Sequence, residues 1–419
     1  MTVTKKAIIG TTLCLAGVLG VWLIDYLALY RPEPVSIPGS TRLAEQLSSS
    51  KSAQDDQDKM AATSAEDYRQ SFISAENIDL EIETVVEGLE VPWSIVFTGS
   101  ERMLITERPG RVREVVAGVL TESPLLVVDE VQSNGEIGMM GMVAHPDYEQ
   151  NQLLYICYGY QSPTGIFNKV IAARDQGSSV EVVDEIIDKL PSARNHAGCE
   201  LAISPDEKLF ITVGDALERD LAQNMDTLAG KIIRLNLDGS IPDDNPFPAS
   251  EIYSFGHRNP QGLAWHPLTN ELYSTEHGPS VFDGPAGGDE VNLIQPGSNY
   301  GWPVISHEQT GEGMETGLLV YTPAVAPATA AFYDADLIPE LRGSFLFGGL
   351  RGTGLYRVVF DLDDPTQVVA HEQMPQVDVG RVRVVEVGPD GAIYIGTSNR
   401  DGRGSVRRGD DAILRIVAR

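Results

Sequence analysis

From Ile78 to the C-terminus, apolar residues come in short runs separated by polar turns. One unit recurs: an apolar stretch, a polar turn that is usually His-Pro or Pro-Asp, then a short apolar strand. The copies are Ile95–Ile105 around Thr98-Gly99-Ser100-Glu101, Val143–Ile156 around His145-Pro146-Asp147, and Ala202–Val213 around Pro205-Asp206. Ala264–Ser274 around His266-Pro267, a degenerate Phe332–Phe347, and Val387–Ile395 around Pro389-Asp390-Gly391 complete the set. Their strand markers are Leu104, Leu154, Leu209, Leu272, Leu346 and Ile393, at intervals of roughly 47 to 74 residues. Each interval suits a four-stranded sheet with one or two long loops, and no long stretch has helical periodicity. Six such sheets around an axis predict an all-β, six-bladed β-propeller, in which radial repetition leaves only short edges. A pair of β-sandwiches is the competing architecture. In a propeller, loops at one mouth converge on the axis, so chemistry is expected from single residues on several blades.

Residues 1–30 read differently. Lys5 and Lys6 precede an apolar run from Ala7 to Ile24, which Asp25 ends. The run is short for a spanning helix and long for a signal core, and its flanking lysines set the N-terminus on the cytoplasmic side. With no clear small-x-small cleavage site, it reads as an uncleaved membrane anchor, with a cleaved signal as the alternative. Either way the remainder is expected outside the cytoplasm, in the periplasm, and an uncleaved anchor holds it at the inner membrane. Residues 31–77, with Pro32, Pro34, Pro38 and a Ser/Gln/Asp-rich stretch, read as a polar linker, and 78–419 as the propeller domain.

Composition agrees. The 41 glycines and 25 prolines in 419 residues exceed the average share of about 12%, as a turn-rich β chain should. A formal charge of −29 repels phosphate backbones and excludes nucleic acid as a partner class. Three cysteines are too few for a disulfide framework; Cys157 and Cys199 are either a pair or two buried thiols.

Four loop segments carry candidate chemistry. Arg194-Asn195-His196-Ala197-Gly198 and Gly256-His257-Arg258-Asn259-Pro260-Gln261-Gly262 each precede a strand. The second can present planar donors to carboxylates. Glu276-His277-Gly278-Pro279, Gly287-Gly288-Asp289-Glu290 and Asn299-Tyr300-Gly301-Trp302-Pro303 form an oxygen-rich run that suits Ca2+. Arg381 and Arg383, two apart on a strand, share one face and repel unless an anion or carboxylates sit between them. Plainer readings stand beside these: Glu290 as a loop cap, His257 and His277 as structural residues, His145 and His266 as turn residues, and Trp93, Trp265 and Trp302 as blade packing.

With Val91-Pro92-Trp93, Gly135-Glu136-Ile137-Gly138-Met139-Met140-Gly141 and Ala144-His145-Pro146-Asp147, these motifs resemble in order and spacing the soluble pyrroloquinoline quinone (PQQ)-dependent glucose, aldose-sugar and sorbosone dehydrogenase family, from about Leu89 to Ile416. The resemblance implies a six-bladed propeller with PQQ on its axis. It implies oxidation of an aldose to a lactone by hydride transfer, with a related polyol or aldehyde as the alternative substrate, and electrons passed to an acceptor of the respiratory chain. His196 matches the general base, and Arg258 and Asn259 the residues beside the quinone oxygen. Glu136, Arg351, Arg381 and Arg383 match cofactor contacts. Gly278 and Pro279 match the carbonyls that bind the catalytic Ca2+, and Glu290 and Tyr300 a second, structural Ca2+ site. Ile137 and Cys199 stand where glycine is usual, Arg351 where the glucose-oxidising branch has lysine, and Ser306–Gly311 where aromatic residues often face the cofactor. A Ca2+-dependent propeller hydrolase of the lactonase kind, or a non-catalytic binding propeller, is the alternative.

Overall fold

The computed structural model describes Tyr68 and residues 72–419. The expected membrane segment, and the linker up to residue 71 apart from Tyr68, lie outside the described residues. Six antiparallel sheets are arranged as blades. Strand β1 (Leu80–Val86) is followed by the first blade: β2 (Pro92–Gly99), β3 (Arg102–Glu107), β4 (Arg111–Val116) and β5 (Val119–Leu120), with β6 (Leu126–Val127) also pairing with β4. Blade two is β7 (Met139–Ala144), β8 (Leu153–Ser162), β9 (Gly165–Asp175) and β10 (Val180–Pro191); blade three is β11 (Leu201–Ile203), β12 (Lys208–Val213), β13 (Lys231–Asn236) and β14 (Ile252–Phe255). Blade four is β15 (Pro260–Trp265), β16 (Leu272–Glu276), β17 (Asp289–Ile294) and β18 (Leu319–Tyr321); blade five is β19 (Pro327–Phe332), β20 (Phe345–Gly349), β21 (Leu355–Phe360) and β22 (Val368–Gln373). Blade six has β23 (Val382–Val387), β24 (Ile393–Thr397) and β25 (Ile413–Ala418), and β1 supplies its outermost strand, from Leu80↔Ala418 to Val86↔Ile413. The first described strand thus closes the last blade, and the ring leaves no open end. All six sequence markers fall in the second strand of their blade.

Period-two alternation explains the packing between blades. On β12, Leu209, Ile211 and Val213 face blade two while Phe210 faces blade four; on β13, Ile233 and Leu235 turn one way and Ile232 the other. Six apolar clusters result among the described residues, one at each blade–blade seam. Cys157 of β8 and Cys199, just before β11, form a disulfide that pins blade two to blade three. The propeller's packing also begins before the expected boundary at residue 78. Ala75 is fully buried in the seam between blades five and six, and Ser74 Oγ and the Ala75 amide donate to Glu372. The His-Pro turns are fold devices: His145 Nδ1 accepts the Asp147 amide, and His266 Nδ1 accepts those of Leu268 and Thr269.

Each innermost strand begins beside the end of its blade's second strand, as in Pro260↔Glu276 and Val382↔Thr397. The loops entering innermost strands and the loops leaving second strands therefore open at the same mouth. That register decides where the site is.

Candidate active site

A cavity of about 660 Å³ occupies this mouth. Entry loops bring Glu136 (blade two), His196 (blade three), Arg258 (blade four) and Arg381 (blade six), and second-strand loops bring Asp215, His277–Asp283, Arg351 and Arg403. Five arginines and four carboxylates line it, in a chain whose acidic side chains outnumber Lys and Arg by 60 to 31. The mouth is a basic island on an acidic protein.

His196 sits in a left-handed backbone conformation (φ 56°), with its amide donating to Glu136 Oε2 at 2.9 Å. Its Nδ1 is 2.7 Å from Asp215 Oδ1, and Asp215 Oδ2 accepts the indole N–H of Trp302 at 2.9 Å. A carboxylate only accepts, so Nδ1 carries the proton and Nε2 is left with a lone pair. Gly214 makes this approach possible: a Cβ there would lie 2.0 Å from the His196 carbonyl oxygen. Asp215 was not marked by any motif, and Trp302 does more than pack.

Arg258 is 3% exposed; its Nε donates to Asp283 at 2.9 Å and its Nη1 to the His277 carbonyl at 3.1 Å. Arg381 donates through Nε and Nη2 to Asp401 at 2.9 and 2.6 Å, and through Nη1 to the Leu350 carbonyl. Carboxylates thus stand beside both arginines: the long second-strand loops of blades four and six supply Asp283 and Asp401. Arg383 departs from expectation. It does not line the mouth with Arg381 but lies beneath it, its guanidinium 3.7 Å over the Trp93 ring and its Nη1 3.3 Å from Gln261. Arg381 is the last residue of the entry loop and Arg383 is already inside β23; the rise over two residues, about 6.6 Å, carries its side chain from the mouth towards the axis. Its Nε has no hydrogen-bond partner, and burial pulls the group down to about 9.

Asn259 is fully buried; its Nδ2 donates to Glu136 Oε2 at 3.2 Å and its Oδ1 accepts the Gly198 amide at 3.1 Å, locking the His196 loop to blade four. His277 reaches the mouth as well, its Nε2 2.9 Å from the Pro327 carbonyl, and burial holds its imidazole below the ordinary range. His257 is structural: it bridges Ser254 and Glu276 and stacks on Tyr300. Arg351 lines the mouth from the end of β20.

Gly278, Pro279, Glu290 and Tyr300 line one small adjoining cavity of about 10 Å³, the scale of one water or ion. Glu290 is a strand residue of β17, not a loop cap. Burial and the neighbouring charge of Glu276 push it up to about 8, and its Oε2 accepts from Asn292 at 3.2 Å. Tyr300 contributes no side-chain ligand: its hydroxyl donates to the Leu293 carbonyl at 2.6 Å and accepts the Gln295 amide at 2.8 Å. Only its main-chain oxygen is left for a cation.

The opposite end of the axis holds a second cavity, about 590 Å³, which none of the sequence-predicted site residues reaches. Glu200 and Glu386 enter it from opposite blades, three and six. Burial, then the charge of Glu386, raises Glu200 well above the usual range, and burial raises Glu386 from 4.5 to about 7. A raised carboxylate binds its proton more tightly in the folded state, so its contribution is full below pH 4.5 and is lost as pH rises towards 7. Glu386→Gln should accordingly be more stable than the parent at pH 8, by up to about 3 kcal/mol, and equal to it at pH 4. Urea melts at the two pH values check this; no pH-dependent gap between the proteins would refute it.

The comparisons with known proteins agree with this geometry. Residues 89–414 match the family model described as glucose/sorbosone dehydrogenase. An uncharacterised protein of Synechocystis is 34% identical over 372 residues, covering 79% of this chain and 87% of that protein. Aldose sugar dehydrogenase YliI of Escherichia coli is 32% identical over 346 residues, covering 77% and 91%. The PQQ-bound aldose sugar dehydrogenase of Streptomyces coelicolor superposes with a TM-score of 0.72 at 29% identity, covering 82% of this chain and 99% of that one. With a six-bladed propeller, a basic mouth and a histidine–aspartate pair facing it, this chain belongs to the glucose/sorbosone dehydrogenase family of sugar oxidoreductases.

Proposed function

We propose that the chain is an exported, PQQ-dependent dehydrogenase that oxidises the anomeric hydroxyl of an aldose to a lactone and passes the electrons to an external acceptor, in keeping with an N-terminal anchor near a respiratory chain. The observation that carries this reading is the basic mouth, in which His196 and Asp215 stand beside Arg258, Arg351 and Arg381. A small anion with several carboxylates fits that set, and the unpartnered, buried Nε of Arg383 lies just below it. Arg351 and Arg381 would hold carboxylates, Arg258 would stand beside a quinone oxygen with Asn259 bracing the His196 loop behind it, and the quinone, when bound, supplies the hydride acceptor that no side chain offers.

The chain's own work is positioning and proton handling. Asp215 fixes the tautomer of His196, and Nε2 takes the proton of the sugar's anomeric hydroxyl, a contribution of about 10²–10⁴ in rate. Arg258 places positive charge where an oxyanion would develop. For Ca2+, the hard oxygens are the carbonyls of Gly278 and Pro279, with Glu290 in the adjoining cavity. The Pro279 carbonyl also accepts the Gly287 amide at 3.2 Å, which leaves it a second lone pair. A divalent cation there would supply Lewis-acid polarisation. Export is supported by the Cys157–Cys199 disulfide, a bond that persists in oxidising compartments.

Reconstitution tests the reading. Purified protein given PQQ, Ca2+ and an artificial dye should reduce the dye when an aldose is added. Chelating Ca2+ should abolish that activity and lower the melting temperature by mass action. Lactone hydrolysis without quinone would replace the reading with a hydrolase, and inertness with a binding propeller. If a chelator changes neither activity nor melting, the calcium assignment is wrong.

A further inference from the structure

Glu136 is the mouth carboxylate that accepts the backbone amide of His196, and its charge is opposite to what an anionic ligand needs. It is 7% exposed. Its Oε2 accepts the His196 amide and Asn259 Nδ2, at 2.9 and 3.2 Å. Its Oε1 meets Arg403 Nη1 at 3.2 Å, and Arg403 Nη2 donates to Asn195 Oδ1 at 2.8 Å. Arg403 belongs to the β24–β25 loop of blade six, yet both its partners lie on the entry loops of blades two and three. Its turn is braced: the Arg403 amide donates to Asp401 Oδ1 at 2.8 Å, and Asp401 Oδ2 holds Arg381. One turn therefore ties together Arg381, Glu136 and the residue before His196.

We propose that Arg403 is a positioning residue: as the counter-ion of Glu136 it makes the mouth admissible to a polyanion, and through Glu136 and Asn195 it holds the His196 loop. The argument is one of charge. A buried carboxylate beside bound carboxylates repels them unless its own counter-ion is close. The other charged or titratable groups facing Glu136 are His277, His196 and Arg383, and together with Arg403 they hold its carboxyl below the usual range against burial, which would raise it. Arg383 is turned to Gln261 and His277 to the Pro327 carbonyl, so Arg403 is the positive side chain in direct contact with the carboxylate. Half of its side chain is exposed (49%), so it acts as a clasp across the rim and not as part of the floor.

The test is a double-mutant cycle with Glu136, and its affinity arm rests on the PQQ reading. By fluorescence titration, Arg403→Gln should weaken PQQ binding about 10- to 100-fold, the usual consequence of leaving a buried charge unpaired. In the Glu136→Gln background the same change should cost less than about threefold, because the charge needing a counter-ion is gone. Arg403→Lys should recover part of the affinity. A second arm needs no cofactor: amide hydrogen exchange of 194–198 in the metal- and cofactor-free protein should quicken in Arg403→Gln and return towards the parent in the double variant. Equal losses in both backgrounds would mean that Arg403 acts on the cofactor directly and would overturn the proposal, as would no effect in either arm. Failure of the parent protein to bind PQQ would sink the PQQ reading alone, and the exchange arm would still decide the clasp.

Discussion

Turnover of the PQQ-loaded protein should fall at least about 10²-fold in His196→Gln, with PQQ affinity changed by less than about threefold. Glutamine fills the volume and keeps a polar tip, but it has no nitrogen lone pair to take a hydroxyl proton. Asp215→Asn should be nearly as damaging, and the structure dictates why. Asp215 accepts three donors, the indole of Trp302 on Oδ2 and both His196 Nδ1 and the Leu217 amide on Oδ1, so an amide at 215 must set its NH2 against at least one of them. With the NH2 towards His196, Nδ1 must accept and the imidazole proton moves to Nε2; with it towards Trp302, the indole loses its acceptor and His196 loses the carboxylate charge that orients it. The first arrangement switches the base off with its position kept, an effect worth about 10⁴ where an aspartate orients a catalytic histidine. Steady-state kinetics with a dye acceptor, alongside a binding titration, separate the two roles. Near-parental turnover in either variant would remove His196 from proton transfer.

Asp289→Ala should be the most destabilising single change near the mouth, costing about 3–5 kcal/mol. Asp289 is 2% exposed. Its Oδ1 accepts the Gly278 amide at 2.8 Å, and its Oδ2 accepts the amides of Val325 and Ala326 at 2.7 and 2.6 Å. Alanine would strand three donors at the seam of blades four and five, each at about 1–3 kcal/mol before water enters. The same bonds hold the turn that carries Gly278 and Pro279, so activity and calcium affinity should fall with stability. Asp289→Asn keeps one acceptor and should fall between. A melting temperature for the alanine variant within a degree of the parent would refute the assignment.

Much of the fold was legible before any coordinates, because it is local. The turn-and-strand unit needs only neighbours in sequence: His145 and His266 cap their own turns, and all six strand markers lie in second strands. The entry loops were legible for the same reason, since Gly-rich polar segments directly before a strand mark both His196 and Arg258. Family motifs added roles to those residues. They did not mark Asp215, Asp283, Asp401 or Arg403, which sit in second-strand loops whose sequences look like ordinary polar turns.

Those residues acquire meaning through closure of the ring. Arg403 lies 267 positions from Glu136 and 208 from Asn195, and no periodicity predicts that a loop of the last blade will rest on loops of the second and third. The same holds for β1 completing blade six and for the pairing of Cys157 with Cys199. The sequence put Arg381 and Arg383 on one strand, but Arg381 stands just before β23 and only Arg383 lies within it. Only the register of β23 against the mouth decided that one lines the cavity and the other lies beneath it. By itself the sequence determined the blades, the loops that enter them and the donors those loops carry, because strand pairing and turn chemistry act over a few residues. The tertiary structure alone decided the counter-charges, the tautomer of His196 and the depth of each arginine, because electrostatics and hydrogen bonding at the mouth depend on distance in space, and radial packing brings together residues from the whole chain.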